Sequence, residues 1–137
     1  MYLLDTCILC ETRSKKPNGK VIEWLRHQDP SMLFISAITI GEIKHGICAL
    51  GKTRKANELS QWLSSIEAGF ASRIISVNTT VAECWGEMLA AAAAIGKPRP
   101  PIDTLIAATA KVDQLTLVTR NVKNMQYTGV KLFNPFQ

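Results

Sequence analysis

Apolar positions along the chain follow two alternating rhythms. Short continuous runs at Met1–Leu4, Met32–Ile35, Arg73–Val77 and Leu115–Val118 have the length and make-up of buried strands. Val130–Phe133 reads as a shorter edge strand. Between them lie segments whose apolar residues recur at helical spacing. Val21–Arg26 carries Trp24 and Leu25 on one side, and Arg54–Glu67 carries Leu59, Trp62, Leu63 and Ile66 at core spacing. Ser36 has the place of an N-cap for a helix through "AITIGEIKHGICAL". Thr80 and Glu83 have capping-box spacing at the head of a long helix, and Gly96 and Pro98 mark its stop. A last apolar helix, "PIDTLIAATA", opens with Asp103 behind two prolines, and Asp103 is expected to cap it.

Strands alternating with helices, without repeats or a linker, imply one α/β domain over residues 1–137. Its central sheet is expected to be mainly parallel, with helices on both faces. In such sheets ligands bind beyond the carboxyl ends of the strands. The first strand ends at Asp5, the second at Ser36, and the last long strand at Thr119-Arg120-Asn121. Glu42 lies about two turns into the helix after strand two, on a face with Ile38 and His45. The small and apolar neighbours of Asp103 (Ile106, Ala107, Ala110) turn its carboxylate toward the sheet.

Each acid has an ordinary explanation by itself: Asp5 as a turn residue, Glu42 as an ion-pair partner of Lys44 or Arg26, Asp103 as a cap. Together they would repel one another unless something positive lies between them. Carboxylates suit Mg²⁺ or Mn²⁺, hard ions that keep several waters and bind phosphate oxygens. Other chemistries fit less well. The chain has no Gly-rich phosphate loop and no G-x-S-x-G elbow, and Glu42 with His45 supplies only half of a di-iron helix motif.

Composition changes this picture little. A 47% hydrophobic and 20% charged content describes an ordinary globular chain. The apolar start is interrupted by Asp5 and lacks a basic leader, and the longest apolar helix is too short for a bilayer, so a cytoplasmic protein without a membrane span is expected. The net charge of +5 favours polyanionic partners. Basic residues cluster at Arg13, Lys15, Lys16 and Lys20, at Lys52, Arg54 and Lys55, and at Arg120 and Lys123. Of the four cysteines, Cys7 and Cys10 form a C-x-x-C directly after a strand, where a redox pair would sit. Cys48 and Cys84 stand alone, which argues against zinc.

Four separated motifs resemble the PIN-domain ribonucleases. "MYLLDTCIL" looks like their opening strand and acid, and "ETRSKKPNGKVIEWL" resembles the first loop and helix of the VapC- and FitB-like bacterial members. "ISAITIGEIKHGI" is similar to the segment bearing the family glutamate. "PPIDTLIAATA" followed by "LTLVTRNVKNM" resembles the remaining acid and polar motifs. The resemblance implies a metal-dependent endoribonuclease, the toxin of a type II toxin–antitoxin pair. It implies Asp5, Glu42, Asp103 and Asn121 as the catalytic set, with Mg²⁺ or Mn²⁺ held directly by Asp5 and Asp103. Arg13, Lys15, Lys16, Arg120 and Lys123 would contact RNA phosphates, which position a strand without reading its sequence. A homodimer and a small antitoxin covering the acids are implied as well.

The chain departs from the family pattern at three places. Asn121 and Asn124 stand where carboxylates are common, and Cys7 replaces the usual Asn. Two rival readings follow. One is a PIN-fold RNA- or protein-binding module with weak catalysis; the other, which leaves the acids unexplained, is a thiol oxidoreductase using Cys7 and Cys10.

Overall fold

Leu3 and Leu4 set the layers of the molecule. Successive strand residues point to opposite faces, and both are fully buried. In the computed structural model, which describes residues 1–137, they lie in the first of five strands: β1 (Tyr2–Leu4), β2 (Leu33–Ser36), β3 (Ile74–Ile75), β4 (Thr116–Val118) and β5 (Leu132–Phe133). The strands form one sheet in the order β3-β2-β1-β4-β5, and every pairing is parallel. The expected parallel α/β sheet is therefore present, with β1 at its centre and the short β5 at one edge.

Seven α-helices surround it: α1 (Thr6–Glu11), α2 (Gly19–Arg26), α3 (Ala37–Ala49), α4 (Arg54–Phe70), α5 (Thr79–Ala94), α6 (Pro101–Val112) and α7 (Val122–Met125). Leu4 packs with Ile8, Leu9, Val21, Ile35, Ile43, Ile47 and Leu63, so α1 to α4 cover one face. Leu3 packs with Ile106, Ala107, Ala110, Leu117 and Met125, so α6 and α7 cover the other. Helix α5 lies outside α6, meeting it through Val81, Leu105 and Ala108. Helix α6 is thus sandwiched between sheet and helix, and every residue from Thr104 to Ala110 is buried. Its run of Ala and Thr is what such a sandwich needs, because small side chains allow close approach on both sides.

The boundaries differ from the sequence reading in instructive ways. Helix α1 begins immediately after Asp5, which caps it by accepting from the Thr6 N–H. No periodicity in the sequence predicts this six-residue helix. Helix α2 starts at Gly19 because the Asn18 side chain accepts from Lys20 and Val21. The long helix α5 is capped not by a Thr80/Glu83 box but by Asn78, whose Oδ1 accepts from the Val81 N–H. Asn78, Thr79 and Thr80 are all competent caps, and the first of them wins. The helix ends at Ile95, with Gly96 at φ +70° satisfying the left-handed stop that glycine permits. Asp103 does not cap α6, since no side chain caps that helix, and Pro101 opens it. No helix of the structure is long and apolar enough to cross a membrane.

The cap assignment is open to a direct check. Asn78→Ala is expected to cost about 1 kcal/mol in denaturant unfolding, while Thr80→Ala changes stability by no more than a few tenths of that.

Candidate active site

The parallel register of the sheet builds the site. Leu4 pairs with Val118 across β1 and β4, so the next residues along, Asp5 and Thr119, meet at the carboxyl end. The Thr119 hydroxyl donates to Asp5 Oδ2 at 2.7 Å, between residues 114 apart in sequence. The Thr6 N–H donates to Asp5 Oδ1 at 2.8 Å. Asp5 is only 6% exposed, and these donors satisfy one hydrogen bond on each of its buried oxygens. The Asn121 N–H donates to Thr119 Oγ1 at 3.1 Å, so Asn121 joins this chain of hydrogen bonds through its backbone. Its carboxamide makes no hydrogen bond within the protein.

Glu42 arrives from the other neighbour of β1. Ser36 ends β2 and caps α3 by accepting from Ile38, which fixes where that helix starts. On α3, Ile43 and Ile47 turn into the core and Glu42 faces outward, toward α1. The Thr6 hydroxyl donates to Glu42 Oε1 at 2.7 Å and lies 3.3 Å from the Thr39 hydroxyl. Thr6 therefore joins Asp5, through its backbone, to Glu42, through its side chain. Glu42 pairs with neither Lys44 nor Arg26. Asp103, half-buried in the first turn of α6, has no hydrogen bond or ion pair to any protein group.

The three carboxylates are close enough to feel one another. Burial raises the Glu42 carboxyl above its ordinary value, the Thr6 hydrogen bond partly offsets this, and Asp5 and Asp103 add repulsion. Burial also raises the Asp103 carboxyl, with Asp5 adding to it. None of the three forms an ion pair with a Lys, Arg or His. No three side chains stand close enough to make a ready cage for an ion. The set is open, all-oxygen and uncompensated by protein cations. That donor chemistry fits a hydrated hard divalent cation, which keeps several waters and needs only one or two protein oxygens.

The predicted basic residues are placed unevenly. Arg120 reaches Glu11 at 3.5 Å and stacks over the Phe136 ring at 3.9 Å, so ion pair and aromatic ring hold it beside the site. Arg13, just past α1, lies over Trp62 of α4 at 6.0 Å. Lys15, Lys16 and Lys123 are exposed and make no ion pair. Cys7 approaches Asp5 Oδ2 at 3.8 Å. Burial first, then the neighbouring acid Asp5, pushes the Cys7 thiol up. Burial first, then Glu42 and Asp5, does the same to Cys10. Thiols held in the protonated state are poor nucleophiles, which weakens the oxidoreductase reading. Thr6 and Thr119, which orient Asp5 and Glu42, are not among the site residues the sequence pattern singles out. The one sequence signal for either was position, since Thr119 directly follows β4 and Thr6 follows Asp5 at the end of β1.

Residues 2–128 match the PIN domain family, and the chain belongs to that family. Among its relatives, Toxin FitB of Neisseria gonorrhoeae is 35% identical over 137 residues, spanning 99% of each chain. The crystal structure of FitAcB from the same organism superposes with a TM-score of 0.92, covering 100% of this chain and 99% of that one. The tRNA(fMet)-specific endonuclease VapC of Shigella flexneri is 31% identical over 130 residues, covering 93% of this chain and 92% of its own. A toxin-antitoxin complex from Klebsiella pneumoniae has a chain at TM-score 0.74 and 25% identity, covering 98% of both.

The acid cluster carries a stability cost with a definite pH signature. The folded chain holds a proton on Asp103 more tightly than the unfolded chain does. That contribution favours folding fully below the ordinary carboxylate value and is lost as the pH rises through the folded value. Asp103→Asn is therefore expected to melt at a higher temperature than the parent at neutral pH in EDTA. Thermal scans at decreasing pH should show the gap closing below about pH 4.

Proposed function

We propose that this chain is an endoribonuclease toxin that hydrolyses RNA phosphodiester bonds at the carboxyl ends of its sheet. The observation that carries the reading is three carboxylates, Asp5 just past β1, Glu42 on α3 and Asp103 on α6, that repel one another and pair with no Lys, Arg or His. Membership of the PIN family supports it, as does similarity to a protein named an endonuclease and to another named a toxin.

In this reading Asp5 and Asp103 hold Mg²⁺ or Mn²⁺ directly. The ion, when bound, lowers the pKa of a water and offsets charge on the phosphate. Asp5 is pre-oriented by Thr119 and Thr6, so its oxygens need no rearrangement to act. Asp103, free of protein partners, can swing onto a ligand. Glu42 has one oxygen fixed by Thr6 and a raised proton affinity, which suits a group that orients the attacking water and takes its proton. The water oxygen forms the new bond to phosphorus as the bond to the leaving ribose oxygen breaks, with no covalent enzyme intermediate. Arg120, held by Glu11 and Phe136, presents its charge to a phosphate, with Lys123, Arg13, Lys15 and Lys16 extending the basic surface along the strand. Asn121 offers a neutral carboxamide at the rim, and this favours a single ion over a pair.

The same reading gives the partners: RNA as substrate, a second copy of the chain, and a small antitoxin protein whose Arg would answer the uncompensated acids. Its setting is the cytoplasm.

Cleavage of total bacterial RNA by the purified chain tests the proposal, with Mg²⁺, Mn²⁺ or EDTA. Discrete metal-dependent fragments, reduced about a hundredfold or more by Asp103→Asn, are expected. A folded, antitoxin-free protein that cuts nothing under either metal would instead make the chain a PIN-fold binding module.

A further inference from the structure

A cleft of about 350 Å³ lies between α5, the connection to α6, α6 itself and the turn after α7, and its lining includes none of Asp5, Glu42 and Asp103. One wall is apolar, made by Met88, Ala91 and Ile95, and the other carries Arg99, Lys111 and Tyr127. Ile95 is 69% exposed although it closes an apolar helix, so this wall has no cover within the chain. The Arg99 guanidinium lies over the Tyr127 ring at 4.5 Å. The Tyr127 hydroxyl is 2.6 Å from Thr104 Oγ1, which locks the ring and so the shelf beneath the arginine. Neither Arg99 nor Lys111 has a carboxylate partner, and Glu87, the single acid on the lining, pairs with neither. Arg99 Nε is the one buried side-chain polar atom in the molecule without a hydrogen-bond partner. The guanidinium therefore brings its charge to the lining of an open cleft with no acceptor supplied by the protein.

We propose that this cleft binds one nucleotide: its phosphate against Arg99 and Lys111, its base and sugar against the apolar wall and the arginine–tyrosine shelf. The planar guanidinium fork and an ammonium together match the oxygens of a phosphate. An anion alone would leave the apolar wall wet, and an apolar body alone would leave the charges of Arg99 and Lys111 unanswered. The volume is that of a small-molecule site and holds roughly one nucleotide. The nucleotide can be free or can be the phosphorylated end of a strand. The site stands whether or not the acids cleave RNA.

Amide chemical shifts of the full chain in EDTA, followed during titration, test the assignment. The probes are AMP, adenosine, inorganic phosphate, a 5′-phosphorylated oligoribonucleotide and a Glu-rich peptide. Saturable shifts at Ile95, Arg99 and Thr128 are expected with AMP or with the oligoribonucleotide, and the tighter of the two identifies the source. Adenosine and phosphate should each bind about tenfold more weakly than AMP, and Arg99→Gln and the exposed Lys111→Gln should each weaken AMP by about tenfold. Unchanged melting temperatures would show that both variants stay folded. The proposal is overturned if neither nucleotide probe saturates, or if both variants bind AMP like the parent. Phosphate binding as tightly as AMP would mean an adventitious ion only, and preference for the peptide would make this a protein-docking surface.

Discussion

The hydrogen bond from Thr119 to Asp5 is the constraint on which the site depends. It exists because β1 and β4 are parallel neighbours in a register that pairs Leu4 with Val118. It holds a nearly buried carboxylate in one orientation while that same carboxylate caps α1. Capping α1 places the Thr6 hydroxyl against Glu42 on α3. One side chain thus ends the central strand, starts a helix and, through Thr6, fixes a second acid. A substitution at Asp5 would disturb all of these together.

Charge explains why the arrangement points to function. A fold optimised for stability alone would not bring three carboxylates together without a countercharge, since burial and repulsion both raise the proton affinities of Glu42 and Asp103. Arg120, next in the chain to Thr119, is paired with Glu11 rather than with these acids. The protein therefore carries an electrostatic cost that a bound cation would relieve, and such a cation would also let a polyanionic substrate approach the acids. Perturbed titratable groups gathered at the carboxyl end of a parallel sheet are the usual mark of a working site.

Much of this was legible in the sequence because parallel α/β topology turns strand order into location. Reading Asp5, Ser36 and Thr119 as strand ends was enough to bring the first acid, the Glu42 helix and the Arg120-Asn121 segment to one edge. The apolar, small-residue pattern of α6 likewise foretold that Asp103 would face inward. The hydrogen bonds were not legible. Thr6 to Glu42 and Thr119 to Asp5 span 36 and 114 residues, and threonine beside a strand carries no local signal of its partner. Helix α1 went unread because its six residues immediately follow a strand and its cap, Asp5, already had a role. The start of α5 was misplaced because Asn78, Thr79 and Thr80 compete for one position, and only the backbone decides among them. Asp103 lost its expected capping role because Pro101 already opens the helix.

Asp5, Glu42 and Asp103 are proposed to form one cation site in the folded chain. Calorimetric titration of the purified protein with Mn²⁺ at neutral pH, without nucleic acid, tests it most directly. One saturable site per chain is expected, weakening sharply in Asp103→Asn and strengthening in Asn121→Asp. Absence of saturable binding, or binding indifferent to Asp103→Asn, would contradict it.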